Sequence, residues 1–163
     1  QFMESDIEAT VTQALRRYDV GAERLGLEIT ESVLMRCLPE DLDQLTRLHR
    51  AGVSFAFDDF GTGYSSLAYL REFPGRYLKI DKSFVRGASR SESDRQIVAA
   101  IANLAHNLGL ETVAEGTEEI AEARAMADFG CDRAQGYCYS KPLPVAEFEA
   151  LLGTMGRSVE VGA

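Results

Sequence analysis

Hydrophobic and polar positions follow two periods along this chain, one helical and one alternating, and the two take turns. Ser5 and Glu8 have the spacing of a capping box, and Ile7, Val11 and Leu15 then recur at helical intervals, predicting a helix that closes near Gly21. Residues 25–30 (LGLEIT) read as a strand running into Glu31 and Ser32. Pro39 opens a helix carrying Leu42, Leu45 and Leu48 that stops at Ala51-Gly52. Val53, Phe55 and Phe57 alternate with small residues as a buried strand does, and the run breaks at Asp58, Asp59, Gly61 and Gly63. A short helix over 64–73, closed by Pro74-Gly75, leads to a strand over 77–81. Ser91 with Asp94 opens a long helix through Ile97, Ile101 and Leu104 to Gly109, and 111–115 (ETVAE) forms the next strand. Thr117 is read as the cap of a helix reaching Phe129-Gly130. A last strand over 133–137 precedes a helix over 145–152.

Five alternations of strand and helix, joined by short turns, predict an α/β fold with parallel strands and right-handed crossovers. Polar residues gather where the strands end: Glu28 and Glu31, Asp58 and Asp59, Lys79 and Asp81, Glu115, Gln135. Ligands bind at that end of the strands in doubly wound sheets and in (β/α)8 barrels alike. No dinucleotide glycine fingerprint follows the first strand and no phosphate-binding P-loop is present, so a TIM-like barrel is the preferred reading. A whole barrel takes roughly 250 residues, about 30 per unit. The 163 residues here accommodate about five units and read as the C-terminal part of a single barrel domain.

Composition narrows the partners. At 45% hydrophobic and 26% charged residues the chain has ordinary globular composition, without an apolar run long enough for a membrane span or the pattern of a signal peptide, and a cytoplasmic location with no direct membrane contact is expected. A formal net charge of −9 without a basic run disfavours a nucleic-acid polymer. Cys37, Cys131 and Cys138 form no CxxC pair and read as reduced packing thiols. His49 and His106 lie in helical patterns away from the acidic strand ends, which disfavours zinc.

Two adjacent carboxylates after an apolar strand must be solvated or neutralised. An exposed Asp-Asp turn is the plain reading of Asp58 and Asp59, and a divalent cation the chemical one. Carboxylates, a lysine and a glutamine at the strand ends, with no histidine or thiolate among them, select hard cations such as Mg²⁺ or Mn²⁺. Asp58 could bridge two ions while Asp59 holds the second, the arrangement that positions water for in-line attack on a phosphodiester. Lys79 alternates with Leu78 and Ile80 and so faces the polar side, where it serves a phosphate or pairs with a neighbouring acid.

The blocks LEITES (27–32), DDFGTGYSSL (58–67), LKIDKSFV (78–85), VAEGTE (113–118) and GCDRAQGYCYSKPLP (130–144), in this order and spacing, resemble the EAL-domain family of cyclic-di-GMP phosphodiesterases. The Asp59-Phe60-Gly61 triplet by itself would also match a kinase, but no kinase context accompanies it. The resemblance implies two Mg²⁺ or Mn²⁺ ions. Glu28 and Asp58 would ligate the first, while Asp58, Asp59 and Glu115 hold the second and its water. It further implies that Lys79 touches that water, that Glu31 tethers the Gly61–Gly63 loop through groups such as Thr62 or Ser65, that this loop region makes homodimer contacts, and that Gln135 lies beside the substrate or a metal-bound water. Sensor or GGDEF domains often precede such domains. Ile29 and Thr117 depart mildly from the family pattern. The family's Glu-Ala-Leu signature and an asparagine, which supply further metal ligands ahead of the LEITES block, have no counterpart there, the Glu149-Ala150-Leu151 triplet falling in the last helical pattern after every matching block, so the parent is expected to hydrolyse cyclic-di-GMP to linear pGpG while this chain alone has little turnover. The alternatives are a non-catalytic cyclic-di-GMP receptor and an enolase-type magnesium barrel enzyme, which the adjacent aspartates fit poorly.

Overall fold

The computed structural model describes residues 6–61, 70–71, 73–88 and 91–155. Five strands appear where alternation predicts them: β1 (Gly26–Thr30), β2 (Ser54–Phe60), β3 (Tyr77–Ile80), β4 (Glu111–Glu115) and β5 (Arg133–Gln135). All pairings are parallel and the order in the sheet is the order in the chain. A doubly wound sheet reverses its strand order at a switch point. This sheet does not reverse, so each crossover steps the same way round, as in the wall of a (β/α) barrel.

The helices cover one face. They are α1 (Ile7–Tyr18), α2 (Glu31–Leu34), α3 (Pro39–Arg50), α4 (Lys82–Ala88), α5 (Glu92–Asn107), α6 (Ile120–Asp128) and α7 (Val145–Met155). Ile29, Phe55, Phe57, Leu78, Ile80 and Ala114 point to that side and are buried with Leu45, Leu48, Val85, Val98 and Ala105 of the helices. Burying such side chains supplies about 1.5–3 kcal/mol each before conformational entropy is subtracted. Phe73 meets Phe55 and Phe57 edge-on at 6.3 and 5.6 Å between ring centres. Alternation therefore sends the remaining strand residues, Glu28, Ala56, Lys79, Val113 and Glu115 among them, to the opposite face.

Local chemistry differs from expectation at four places. Asp6 caps α1, its Oδ1 accepting from the Ala9 amide at 2.9 Å, so the cap lies one residue after Ser5, which falls outside the described residues. Thr117 does not cap α6. Glu122 does that work, accepting from the amides of Glu118 and Glu119, while Thr117 is buried with its hydroxyl 3.2 Å from Cys138 Sγ. The short helix α4 follows β3 directly, where no separate helix is expected before Ser91; Asp81 Oδ1 starts it by accepting from the Ser83 amide and hydroxyl at 2.9 and 2.5 Å. The last strand stops at Gln135 because the chain then turns around Thr117, whose carbonyl accepts from the Cys138 amide. Of the helix expected over 64–73, only Leu70 and Arg71 lie among the described helical residues.

Candidate metal centre

The site is built where β2 breaks its own alternation. Against β3, Phe57 pairs with Leu78 and Phe60 with Ile80, three steps on one strand for two on the other. The extra residue is a bulge, and it falls at Asp58-Asp59. Asp59 takes a left-handed backbone with φ 56°, a conformation that aspartate tolerates better than most side chains. Phe60 returns to the buried apolar side in place of residue 59, and the two carboxylates, which a regular strand would send to opposite faces, stay together. Asp58, Asp59 and Glu115 each present an oxygen within 4.8 Å of the other two.

Lys79 joins the neighbouring strands. Its Nζ lies 2.8 Å from Glu28 Oε1, 2.9 Å from Asp58 Oδ1 and 2.7 Å from Glu115 Oε1, and its side chain is only 6% exposed. Glu28 thus meets the cluster through Lys79 and is not one of the three acids that converge directly. Burial by itself would lower the Lys79 pKa. The bonds to Glu115, Glu28 and Asp58 outweigh it and raise the value, so the ammonium stays charged. Glu115 is pushed above the usual glutamate value, first by burial and then by the charges of Asp58 and Glu28, with Lys79 pulling the other way.

Asp58 Oδ1 is buried and makes no well-aligned hydrogen bond, although Nζ is 2.9 Å away. A buried carboxylate oxygen in that condition, among oxygen-only donors, fits a hard divalent cation. Asp58, Asp59 and Glu115 are the residues that could hold it.

Gln135 lies beside Glu115 in the β4–β5 register, on the same rim. Glu31 is buried at the start of α2; Thr62, Gly63 and Ser65, the far end of its expected tether, lie outside the described residues. Gly61 is described. Its φ is 96°, and an added Cβ would come within 2.7 Å of the Phe84 ring, so α4 packs directly against Gly61. A groove of about 500 Å³ runs from Glu28 and Lys79 past Tyr77 to Arg133 and Gln135. Sequence reasoning did not assign Tyr77 or Arg133. Both sit two residues before a site residue on the same strand, Lys79 and Gln135, so period two places them on the site face. Glu111 grips Arg76 and Arg133, whose guanidinium groups each lie 5.2 Å from the Tyr77 ring centre.

A sequence model of the EAL domain matches residues 1–142. The chain is 43% identical over 142 residues, 87% of its length, to the cyclic di-GMP phosphodiesterase NbdA of Pseudomonas aeruginosa, of which it covers 18%. The solved PaMucR phosphodiesterase in complex with c-di-GMP superposes with a TM-score of 0.84 at 38% identity, over 90% of this chain and 60% of that one. A manganese and cyclic-di-GMP complex of Klebsiella pneumoniae BlrP1 superposes with a TM-score of 0.78 at 30% identity, over 86% and 36% of the two chains. The chain spans about a fifth of the length of the curated relatives it matches.

Proposed function

The chain belongs to the EAL domain family, and from that premise we propose that the protein it comes from hydrolyses cyclic-di-GMP to linear pGpG with two Mg²⁺ or Mn²⁺ ions. The observation that carries this reading is the convergence of Asp58, Asp59 and Glu115 within 4.8 Å beside a buried lysine. When bound, the ions would polarise the scissile phosphate and acidify the attacking water. The chain's own residues do the remainder. Asp58, Asp59 and Glu115 hold positive charge at the rim, with Glu28 reaching the same point through Lys79. Lys79 places an ammonium where negative charge develops on the phosphoryl oxygens. Gln135 presents its amide to the substrate from the strand next to Glu115, and Glu31, buried in α2, secures the loop after Asp59. Tyr77 and Arg133 line the groove that admits the rest of the nucleotide. Dimer contacts through the region of Gly61–Gly63 and a covalent GGDEF or sensor partner belong to the same reading, as does the chain's place as the C-terminal portion of one EAL domain.

The Glu149-Ala150-Leu151 triplet lies in α7, outside the matched residues 1–142, and is not the family's metal-ligating block, so the chain supplies a subset of the ligands and its own turnover is expected to be low. The test is Mn²⁺-dependent conversion of cyclic-di-GMP to pGpG, by this chain alone and by a domain that joins it to a segment carrying that block. Turnover by the joined domain that Glu115→Gln abolishes supports the reading. Turnover that survives Glu115→Gln and Asp58→Asn overturns it.

A further inference from the structure

We propose that Lys79 is a built-in counter-ion that holds the acidic rim together before metal enters, and that a divalent cation must displace its ammonium from Asp58 and Glu115. This rests on the reading of Asp58, Asp59 and Glu115 as a cation site. The geometry is that of a hub. An ammonium can reach several acids at once, and Nζ lies 2.8 Å from Glu28, 2.9 Å from Asp58 and 2.7 Å from Glu115, carried on three different strands. With β3 lying between β2 and β4, the lysine is placed to reach both neighbours and, past β2, Glu28 on β1.

Two of those three partners, Asp58 and Glu115, are also two of the three acids close enough to share one ion. An ion seated among Asp58, Asp59 and Glu115 would therefore stand next to Nζ, and two cations at that separation in a buried setting repel strongly. The rim thus has one set of oxygens and two claimants. Without Lys79, the half-buried Asp58 and Glu115, the exposed Glu28 and the nearby Asp59 face one another with no cation between them, which favours protonation or opening of the strand ends. With it, the sheet keeps its register, at the expense of cation affinity. The prediction has an unusual sign: removing a positive residue of the site tightens metal binding.

The experiment is a Mn²⁺ titration of the wild-type chain, Lys79→Met and Lys79→Arg, read by electron paramagnetic resonance for affinity and by thermal unfolding with and without the ion. Lys79→Met is expected to unfold at a lower temperature than wild type without metal, to recover with Mn²⁺, and to bind Mn²⁺ ~10-fold or more tightly than wild type. Lys79→Arg keeps the charge and stays near the wild-type affinity. Equal or weaker Mn²⁺ binding by Lys79→Met overturns the proposal. Should Lys79→Met not fold, the wild type decides alone: in lysine ¹⁵N spectra with saturating diamagnetic Mg²⁺ the Lys79 ammonium is expected to shift and lose protection, and an unchanged signal overturns it. Absence of Mn²⁺ and Mg²⁺ binding by every variant sinks the cation-site reading and the displacement with it. Binding by the wild type without displacement sinks the displacement only.

Discussion

A left-handed backbone costs an ordinary side chain about 1 kcal/mol or more, and Asp59 adopts it with φ 56° one residue before the end of β2. The side chain matters there in two separable ways, since aspartate and asparagine both tolerate the backbone and only aspartate carries the charge. Asp59→Asn is therefore expected to leave the unfolding midpoint nearly unchanged while lowering Mn²⁺ affinity ~10-fold, whereas Asp59→Val loses the affinity and about 1–2 kcal/mol of stability as well. Parallel Mn²⁺ titration and urea unfolding of the two variants check this, and equal stabilities would show that the backbone there is unstrained. Two residues on, Gly61 has a left-handed φ and the Phe84 ring within 2.7 Å of any added Cβ. Gly61→Ala is expected to cost about 1–3 kcal/mol. Because the push is transmitted to α4, Phe84→Leu in the same chain should return part of that loss, which chemical denaturation of the single and double variants would reveal.

The elements are fastened at the end of the sheet away from the site. Asp132, just before β5, accepts through one Oδ2 from the Thr112 amide at 2.7 Å and the Thr112 hydroxyl at 2.8 Å, with His106 Nε2 of α5 also at 2.8 Å; its own amide donates back to Thr112 at 3.0 Å. Burial opposes the charge, but the Thr112 amide, His106 and the Thr112 hydroxyl prevail and hold the carboxyl down at about 2, against an ordinary 3.8. A lowered folded-state value means stability that is complete above the unfolded pKa and is lost as pH falls toward the folded one. The window is thus about pH 4 down to 2. The carboxylate is 36% exposed, so screening limits the contribution to about 1 kcal/mol. Asp132→Asn should flatten the acid limb of a stability-against-pH curve by that amount, and an unchanged limb would remove Asp132 from the account. Thr112 and Asp132 were silent in the sequence, since a buried threonine on a strand looks like a β-former and nothing local pairs it with an acid 20 residues on. The strands were legible because alternation is a local signal. The cap of α6 was not, since Thr117 and Glu122 both suit a helix start and only burial of Thr117 decides between them. The identity of Asp58, Asp59, Lys79 and Glu115 could be read from strand ends. The bulge that makes two adjacent aspartates share a face could not, because it depends on how β2 registers with β3.

At the scale of the whole molecule, the sheet sorts its residues into an apolar face under the helices and a charged face around Lys79, within a chain of formal net charge −9. A cation therefore feels two attractions: the short-range one of Asp58, Asp59 and Glu115, and the diffuse field of the remaining acids. Salt separates them. The Debye length shrinks from about 30 Å at 0.01 M to about 8 Å at 0.15 M, which silences the diffuse field while leaving partly buried contacts largely intact. Because a ligand that binds only the folded state stabilises it by mass action, Mn²⁺ at a hundred times its dissociation constant should add about 2.7 kcal/mol to folding. That gain is expected to shrink only modestly between low and physiological salt if the three converging carboxylates provide most of the affinity. Glu115→Gln should remove most of the gain at both salt concentrations while changing the net charge by a single unit. A gain that vanishes at 0.15 M salt, or that survives Glu115→Gln, would mean that Mn²⁺ is held by the general acidity of the surface and not by the rim of the sheet. Calorimetric unfolding at the two salt concentrations, with wild type and variant side by side, distinguishes these outcomes.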